Sequence, residues 1–198
     1  MKKLLLLPIL FAAIVANAQI SIGIKGGVNV SNFTGNNFDT IKANSLVAFH
    51  IGAFLRFKFG RHLVLHPELL FSSQGAKLDD QGNESTYKVS YINIPVVLQY
   101  ETIGGFYLEA GPQFGFKVSE DIPNSTIENF AKETDFSIAL GLGYHTKGGF
   151  GIGARYTVGI SKVGDFDSAN INPDFKNGVI QISLFYTFFN KKNKSDNK

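Results

Sequence analysis

The sequence predicts an all-β protein: an eight-stranded antiparallel up-and-down transmembrane β-barrel. Two observations carry this. Apolar residues recur with a period of two in eight segments, opposite a set rich in glycine and amides with scattered charge; that period puts each set on one face of a strand. The connections run long, short, long, short, as in a membrane barrel with tight turns at one end and larger loops at the other.

The chain opens with MKKLLLLPILFAAIVANA: a basic start (Lys2, Lys3), an apolar run from Leu4 to Val15, and the frame Ala16-Asn17-Ala18. This is the pattern of a signal peptide cleaved after residue 18, and its apolar run is shorter than the ~20 residues of a membrane helix. The barrel is then expected over 19–189, with a polar, lysine-rich periplasmic tail at 190–198. In the first strand Ile20, Ile22, Ile24, Val28 and Val30 alternate with Ser21, Gly23, Lys25, Gly27 and Asn29. After a polar stretch from Ser31 to Asn44, the second runs from Val47 to Phe59 with His50, Phe54, Arg56 and Lys58 on its polar face. Past the tight turn Gly60-Arg61-His62, the third sets Leu63, Leu65, Pro67, Leu69 and Phe71 against Val64, His66, Glu68, Leu70, Ser72 and Gln74.

A second polar stretch, Gly75 to Thr86, leads to the clearest signal, the hairpin Tyr91–Val118. Ile92, Ile94, Val96, Leu98 and Tyr100 share one wall with Phe106, Leu108, Ala110, Pro112, Phe114, Phe116 and Val118, across five turn residues. A third polar stretch, Ser119 to Glu133, precedes strand six (Asp135–Tyr144). The turn His145–Gly149 joins it to strand seven (Phe150–Ile160), and after a fourth polar stretch strand eight (Ile180–Phe188) closes the set. Strands of about ten residues suffice to span a bilayer when tilted, and closure satisfies every backbone group in lipid. Phe57, Phe59, Tyr100, Phe106, Tyr144, Phe150, Tyr186 and Phe188 gather where strands meet short turns, and are expected to form a periplasmic aromatic girdle.

A secreted barrel of the lipocalin kind would turn the apolar face inward around a ligand. Its outer face would then be dense in lysine and glutamate, whereas the polar set here is dominated by glycine, which suits a cramped interior.

The pI of 9.0 suggests nucleic acid or an anionic surface until the charges are located. Two lysines leave with the signal and four sit in the tail with Asp196, so the remaining body has 13 basic and 15 acidic residues, a net charge of −2. Nucleic acid is therefore excluded as a partner. Without cysteine there are no disulfides, thiolate metal sites or cysteine nucleophiles.

The polar faces carry Lys25, His50, Arg56, Lys58, His66, Glu68, Glu109, Lys117, Asp135 and Arg155. Charges enclosed in a narrow barrel must be paired, so these are expected to form an interior charge network that plugs the lumen rather than an ion path or catalytic cleft. No nucleophile, metalloprotease or phosphate-loop motif occurs, so no catalytic, cofactor or metal residues are assigned. His50 and His66 facing each other across neighbouring strands is a weak metal signal, and His62 and His145 fall in turns expected to be solvated. The outer loops hold eleven acidic residues against six lysines. Asp79-Asp80-Gln81-Gly82-Asn83-Glu84 has calcium-friendly spacing, with Asp165, Asp167 and Asn170 a poorer case, but the full loop pattern is missing. Ser125-Thr126-Ile127-Glu128 reads as a capping box for a short surface helix. Ile127 and Phe130, with Phe38, Ile41 and Phe166, form either a partner patch or packing over the barrel mouth.

The segments Gln19-Ile-Ser-Ile-Gly-Ile-Lys-Gly-Gly-Val-Asn, His66-Pro-Glu-Leu-Leu-Phe, Tyr91-Ile-Asn-Ile-Pro and Glu109-Ala-Gly-Pro-Gln resemble, in that order, the PorT-like outer-membrane β-barrel family. The resemblance covers essentially the whole mature chain. It implies an eight-stranded barrel in the bacterial outer membrane. The family's namesake is linked to surface-protein export, but the shared motifs are barrel motifs and do not carry that role. The expected function is non-enzymatic: a monomeric structural or accessory barrel in outer-membrane lipid, reaching a possible protein partner through outer loops or tail. The alternatives are a narrow pore and a barrel enzyme acting on lipid or peptide.

Overall fold

The computed structural model describes residues 19–34, 42–80, 83–122, 131–163 and 175–188. These form eight strands: β1 (Gln19–Thr34), β2 (Lys42–Phe59), β3 (Leu63–Asp80), β4 (Asn83–Glu101), β5 (Phe106–Asp121), β6 (Thr134–His145), β7 (Phe150–Gly159) and β8 (Lys176–Thr187). Each pairs antiparallel with the next, and β8 returns to β1, closing the barrel. Successive Cα partners from Ile20 run through Phe57, Leu65, Leu98, Ala110, Leu140, Tyr156 and Ile180 and reach β1 again at Val30, ten residues beyond the start. For eight strands that shear sets a tilt of about 43° and an interior that side chains can fill.

The apolar set points outward. Ile24, Phe49, Leu69, Leu98, Tyr156 and Leu184 are all exposed, while Lys25, His50, Glu68, Gln99, Arg155 and Ser183 beside them in sequence are buried. An apolar outer wall around a polar interior is the inverse of a soluble ligand-binding barrel. The outward apolar run spans Phe136–Tyr144 on β6 and Phe106–Val118 on β5, roughly 20–30 Å along the axis, which brackets the hydrocarbon belt of a membrane barrel. Phe57, Phe59, Tyr100, Phe106, Tyr144, Phe150, Tyr186 and Phe188 lie on this wall at its short-turn end, where Phe150 meets Tyr186 at 4.6 Å and Tyr186 meets Phe188 at 5.3 Å between ring centroids.

Inside, rings lie over glycines. A Cβ on Gly153 would come within 2.5 Å of the Tyr107 hydroxyl, and one on Gly143 within 2.5 Å of the same group. Phe54 covers Gly23 and Phe185 covers Gly151 in the same manner. The three rings form one cluster, with Phe54 and Phe185 edge-to-face at 5.9 Å. Two of the short turns share the frame Y-x-T-x-G-G-F, at Tyr100–Phe106 and Tyr144–Phe150. Their bonds match: Thr102 N–H and hydroxyl donate to Phe106 O, and Thr146 does the same to Phe150 O. The second glycine of each, Gly105 and Gly149, has φ of 94° and 93°, a region only glycine enters at little cost.

Several expectations are corrected. The strands run from 10 to 19 residues, because β1–β5 continue past the apolar belt. Much of the polar stretches at 31–44 and 75–86 is paired strand, and Asp79 and Asp80 lie opposite Glu84 and Asn83 in one hairpin. Outside lipid a strand needs no apolar wall, so alternation fades while pairing continues. His145 is not a solvated turn residue; it ends β6 and is buried. His50 and His66 do not face each other: His50 sits opposite Ser72 and Phe54 opposite Glu68, which places His66 six positions from His50 along β2, about 20 Å away. Phe38, Ile41, the capping box Ser125–Glu128 of the anticipated surface helix, Phe130, Asp165, Phe166, Asp167 and Asn170 lie outside the described residues, as do the signal segment and the tail.

Candidate functional site in the barrel lumen

The lumen is filled in tiers. At the short-turn end Arg56 and Lys58 of β2 reach Glu101, the last residue of β4: Arg56 bonds one carboxylate oxygen and Lys58 Nζ the other at 2.9 Å. Arg56 Nη1 also donates to His145 Nδ1 at 2.7 Å, so a neutral ring carries its proton on Nε2 and donates to Thr187 Oγ1 at 3.2 Å. Glu101 and His145 hold the same place in the two shared turn frames, and both turn inward to Arg56.

The middle tier is a four-charge cluster. Lys25 Nζ donates to Glu68 Oε1 at 2.7 Å, Arg155 clamps Glu68 at 2.6 and 3.0 Å, and Arg155 Nε donates to Glu109 Oε1 at 2.7 Å. Two cations meet two carboxylates on four strands, all buried. Gln99 donates to Glu109 Oε2 at 2.9 Å and to His66 Nδ1 at 2.5 Å, which leaves His66 neutral with its proton on Nε2. That nitrogen has no hydrogen-bond acceptor among the described residues, but the His66 ring lies edge-to-face with Phe54 at 4.7 Å.

Above this, Asn29 is the hub. Its Nδ2 donates to Ser72 Oγ and Ser73 O at 3.0 and 2.8 Å, and its Oδ1 accepts from Gln181 at 3.1 Å. His50 Nδ1 donates to Asn29 Oδ1 at 2.7 Å, and His50 Nε2 accepts from Ser183 Oγ at 2.8 Å. The chain Ser183–His50–Asn29 has the polarity of a nucleophile, base and orienting group. All three residues are buried, and a Cβ at neighbouring Gly27 would strike the backbone of β8 and come within 2.9 Å of the His50 ring. A substrate has no room here, so the chain is architectural. At the long-loop end Phe33 and Phe175 meet at 4.5 Å, packed with Ala76, Val89, Tyr91, Ala131 and Val163, and this apolar group caps the lumen.

Of the residues singled out in the sequence, Lys25, Glu68, Glu109, Arg155 and His66 meet in the middle tier, and Arg56 and Lys58 in the lower one. His50 belongs to the amide and hydroxyl tier, where it bonds to Asn29 and Ser183 rather than to a carboxylate. Lys117 lies higher, 3.0 Å from Glu120, and Asp135 accepts from Ser161 at 3.1 Å. Sequence reasoning missed Glu101, Asn29, Gln99 and His145. Strand parity pointed to Glu101 and His145, since each continues the inward set of its strand by one residue into the turn. His66, Glu68 and Glu109 offer metal-ligand atoms within 4.8 Å of one another, but Lys25 and Arg155 already occupy the cation positions on both carboxylates.

The chain matches the family model described as outer membrane protein beta-barrel domain over residues 15–165, more than half its length. No curated protein sequence matches it. Among solved structures it is similar to Neisserial surface protein A (TM-score 0.54, 10% identity, 86% of this chain and 99% of that one). It is also similar to the outer membrane protein OprG from Pseudomonas aeruginosa (0.52, 15%, 87% and 98%). A third is Ail, the attachment invasion locus protein of Yersinia pestis, in complex with the heparin analogue sucrose octasulfate (0.51, 14%, 86% and 99%). At these identities the likeness is one of fold.

Proposed function

The chain belongs to the outer membrane protein beta-barrel domain family, and from that premise we propose that it is a monomeric, non-enzymatic barrel whose lumen is a structural core. Its work is then done by the surfaces at its two ends, with a structural or accessory role in the bacterial outer membrane. In this reading residues 1–18 are removed as a signal, both termini and the short turns face the periplasm, and the long loops face outward, available to a protein partner. The PorT-like resemblance gives a finer family assignment of the same kind.

One observation carries the reading: Lys25, Glu68, Glu109 and Arg155 neutralise one another across the middle of the lumen. Opening a water path there means separating buried ion pairs, at about 3–5 kcal/mol for each partner lost. The purified barrel in planar bilayers is expected to be electrically silent. Resolved conductance steps would overturn the closed-core reading in favour of a narrow pore, and turnover of phospholipid by the folded barrel would overturn the non-enzymatic one. Cross-linking in native outer membranes tests the accessory role: a stoichiometric protein partner supports it, and a clean monomer favours an autonomous barrel.

A further inference from the structure

We propose that the short-turn end of the barrel is a collar that binds the phosphate headgroups of anionic phospholipid. Its cations are Arg61 and Lys147 at two turn tips, with Lys58 at the rim. The proposal rests on the membrane-barrel reading and is independent of which compartment this end faces.

Depth is the first argument. Arg61 and Lys147 are exposed and lie just beyond the aromatic girdle. The ring of His62, next to Arg61, stacks on Tyr100 with centroids 5.3 Å apart and 19° between planes. Lys147 lies between Tyr144 and Phe150, which are exposed on the outer wall. Aromatic rings settle at the membrane–water interface, so cations one step further out sit at headgroup level, where long basic side chains reach for phosphate.

Charge complementarity is the second. Among the described residues at this end the one acid is Glu101, and it is buried with both carboxylate oxygens held by Arg56 and Lys58. The exposed charge there is therefore all positive. The opposite end is unlike it: acids outnumber lysines eleven to six in the outer loops.

The third observation is Ile103, 77% exposed at the tip of the middle turn. In the shared frame Y-x-T-x-G-G-F it takes the place that Lys147 takes in the next turn. An isoleucine at a turn tip is poorly placed in open water and well placed at the boundary between headgroups and acyl chains. Cations and an apolar anchor on one rim are the pairing used by interfacial lipid-binding surfaces. A soluble acidic protein would use the cations but not the depth.

The test uses the full mature barrel in vesicles of phosphatidylcholine and of an equimolar phosphatidylcholine–phosphatidylglycerol mixture, with lipid retained after mild detergent extraction counted by native mass spectrometry. Wild type should retain phosphatidylglycerol over phosphatidylcholine, less so at high salt. Each basic group lost should lower that preference about fivefold, so Arg61→Gln and Lys147→Gln should each lower it, and the double variant markedly. Arg61 and Lys147 are exposed in short turns, so the variants should keep the heat-dependent gel mobility of a folded barrel. Equal retention of both lipids, or a preference that survives the substitutions, overturns the collar. So does abolition of retention by inorganic phosphate at matched ionic strength, which assigns the site to soluble phosphate, or capture of an acidic protein without any lipid preference. Failure to insert into either vesicle would overturn the membrane-barrel reading instead.

Discussion

Replacing Glu68 tests whether the lumen is held by its ion cluster. Its carboxylate is fully buried and accepts from Lys25 Nζ at 2.7 Å and from both terminal nitrogens of Arg155 at 2.6 and 3.0 Å. Glu68→Ala leaves Lys25 without its carboxylate and Arg155 with Glu109 alone. Removing one partner of a buried pair costs about 3–5 kcal/mol, chiefly because the remaining charge stays desolvated. With a urea slope of ~2 kcal/mol/M the unfolding midpoint in vesicles should drop by about 2 M. The chain has no tryptophan, so unfolding is best followed by gel mobility without boiling and by far-ultraviolet circular dichroism. Replacing two buried partners together is milder than stranding one, so Lys25→Met/Glu68→Leu should be more stable than Glu68→Leu alone. A Glu68→Ala midpoint equal to wild type, or a double variant no better than the single one, would refute the view that these charges hold one another in place.

Three further outcomes follow from local geometry. Gly153→Ala should destabilise the barrel by roughly 1–3 kcal/mol through overpacking, because its Cβ meets the Tyr107 hydroxyl at 2.5 Å. In a Tyr107→Phe background it should be tolerated, since the next atoms are 3.6 and 3.7 Å away; equal costs in both backgrounds by urea titration would contradict this. Gly105→Ala, at φ 94° and against the His145 carbonyl, should cost ~1–2 kcal/mol, whereas Gly104→Ala, with one atom at 3.9 Å, should be near neutral on the same assay. The buried Thr157 hydroxyl has no hydrogen-bond partner among the described residues. Thr157→Val should therefore leave thermal stability unchanged or raised, and a clear fall would reveal a partner.

The outward wall was legible because lipid enforces a strict rule: every second residue must be apolar for as long as the strand is in hydrocarbon. That rule placed Ile22, Phe49, Leu98 and Leu184 outside and Lys25, His66, Glu109 and Arg155 inside. It fell silent where lipid ends, so Ser31–Thr34 and Gly75–Asp80 were read as loop although backbone pairing carries them on as strand. The inward residues were legible one by one, but not their partners. Glu101 passed for a turn residue and His145 for a solvated one because turn chemistry outweighed strand parity at those positions. The repeated frame Y-x-T-x-G-G-F was the signal that would have corrected both, since the residue after each tyrosine continues the inward set.

By itself the sequence determined the strand count, the antiparallel order, which face meets lipid and which end carries the tight turns, because these follow from period, length and glycine placement along the chain. Only the tertiary structure decided which charges meet. Lys25, Glu68, Glu109 and Arg155 come from four strands, and their encounter depends on a ten-residue shear that no local pattern encodes. The same shear carries Tyr107 across β6 to glycines on two strands and brings Glu101 and His145 together beneath Arg56. A lumen is where residues distant in sequence share one small volume, and its contents are fixed by how the sheet closes.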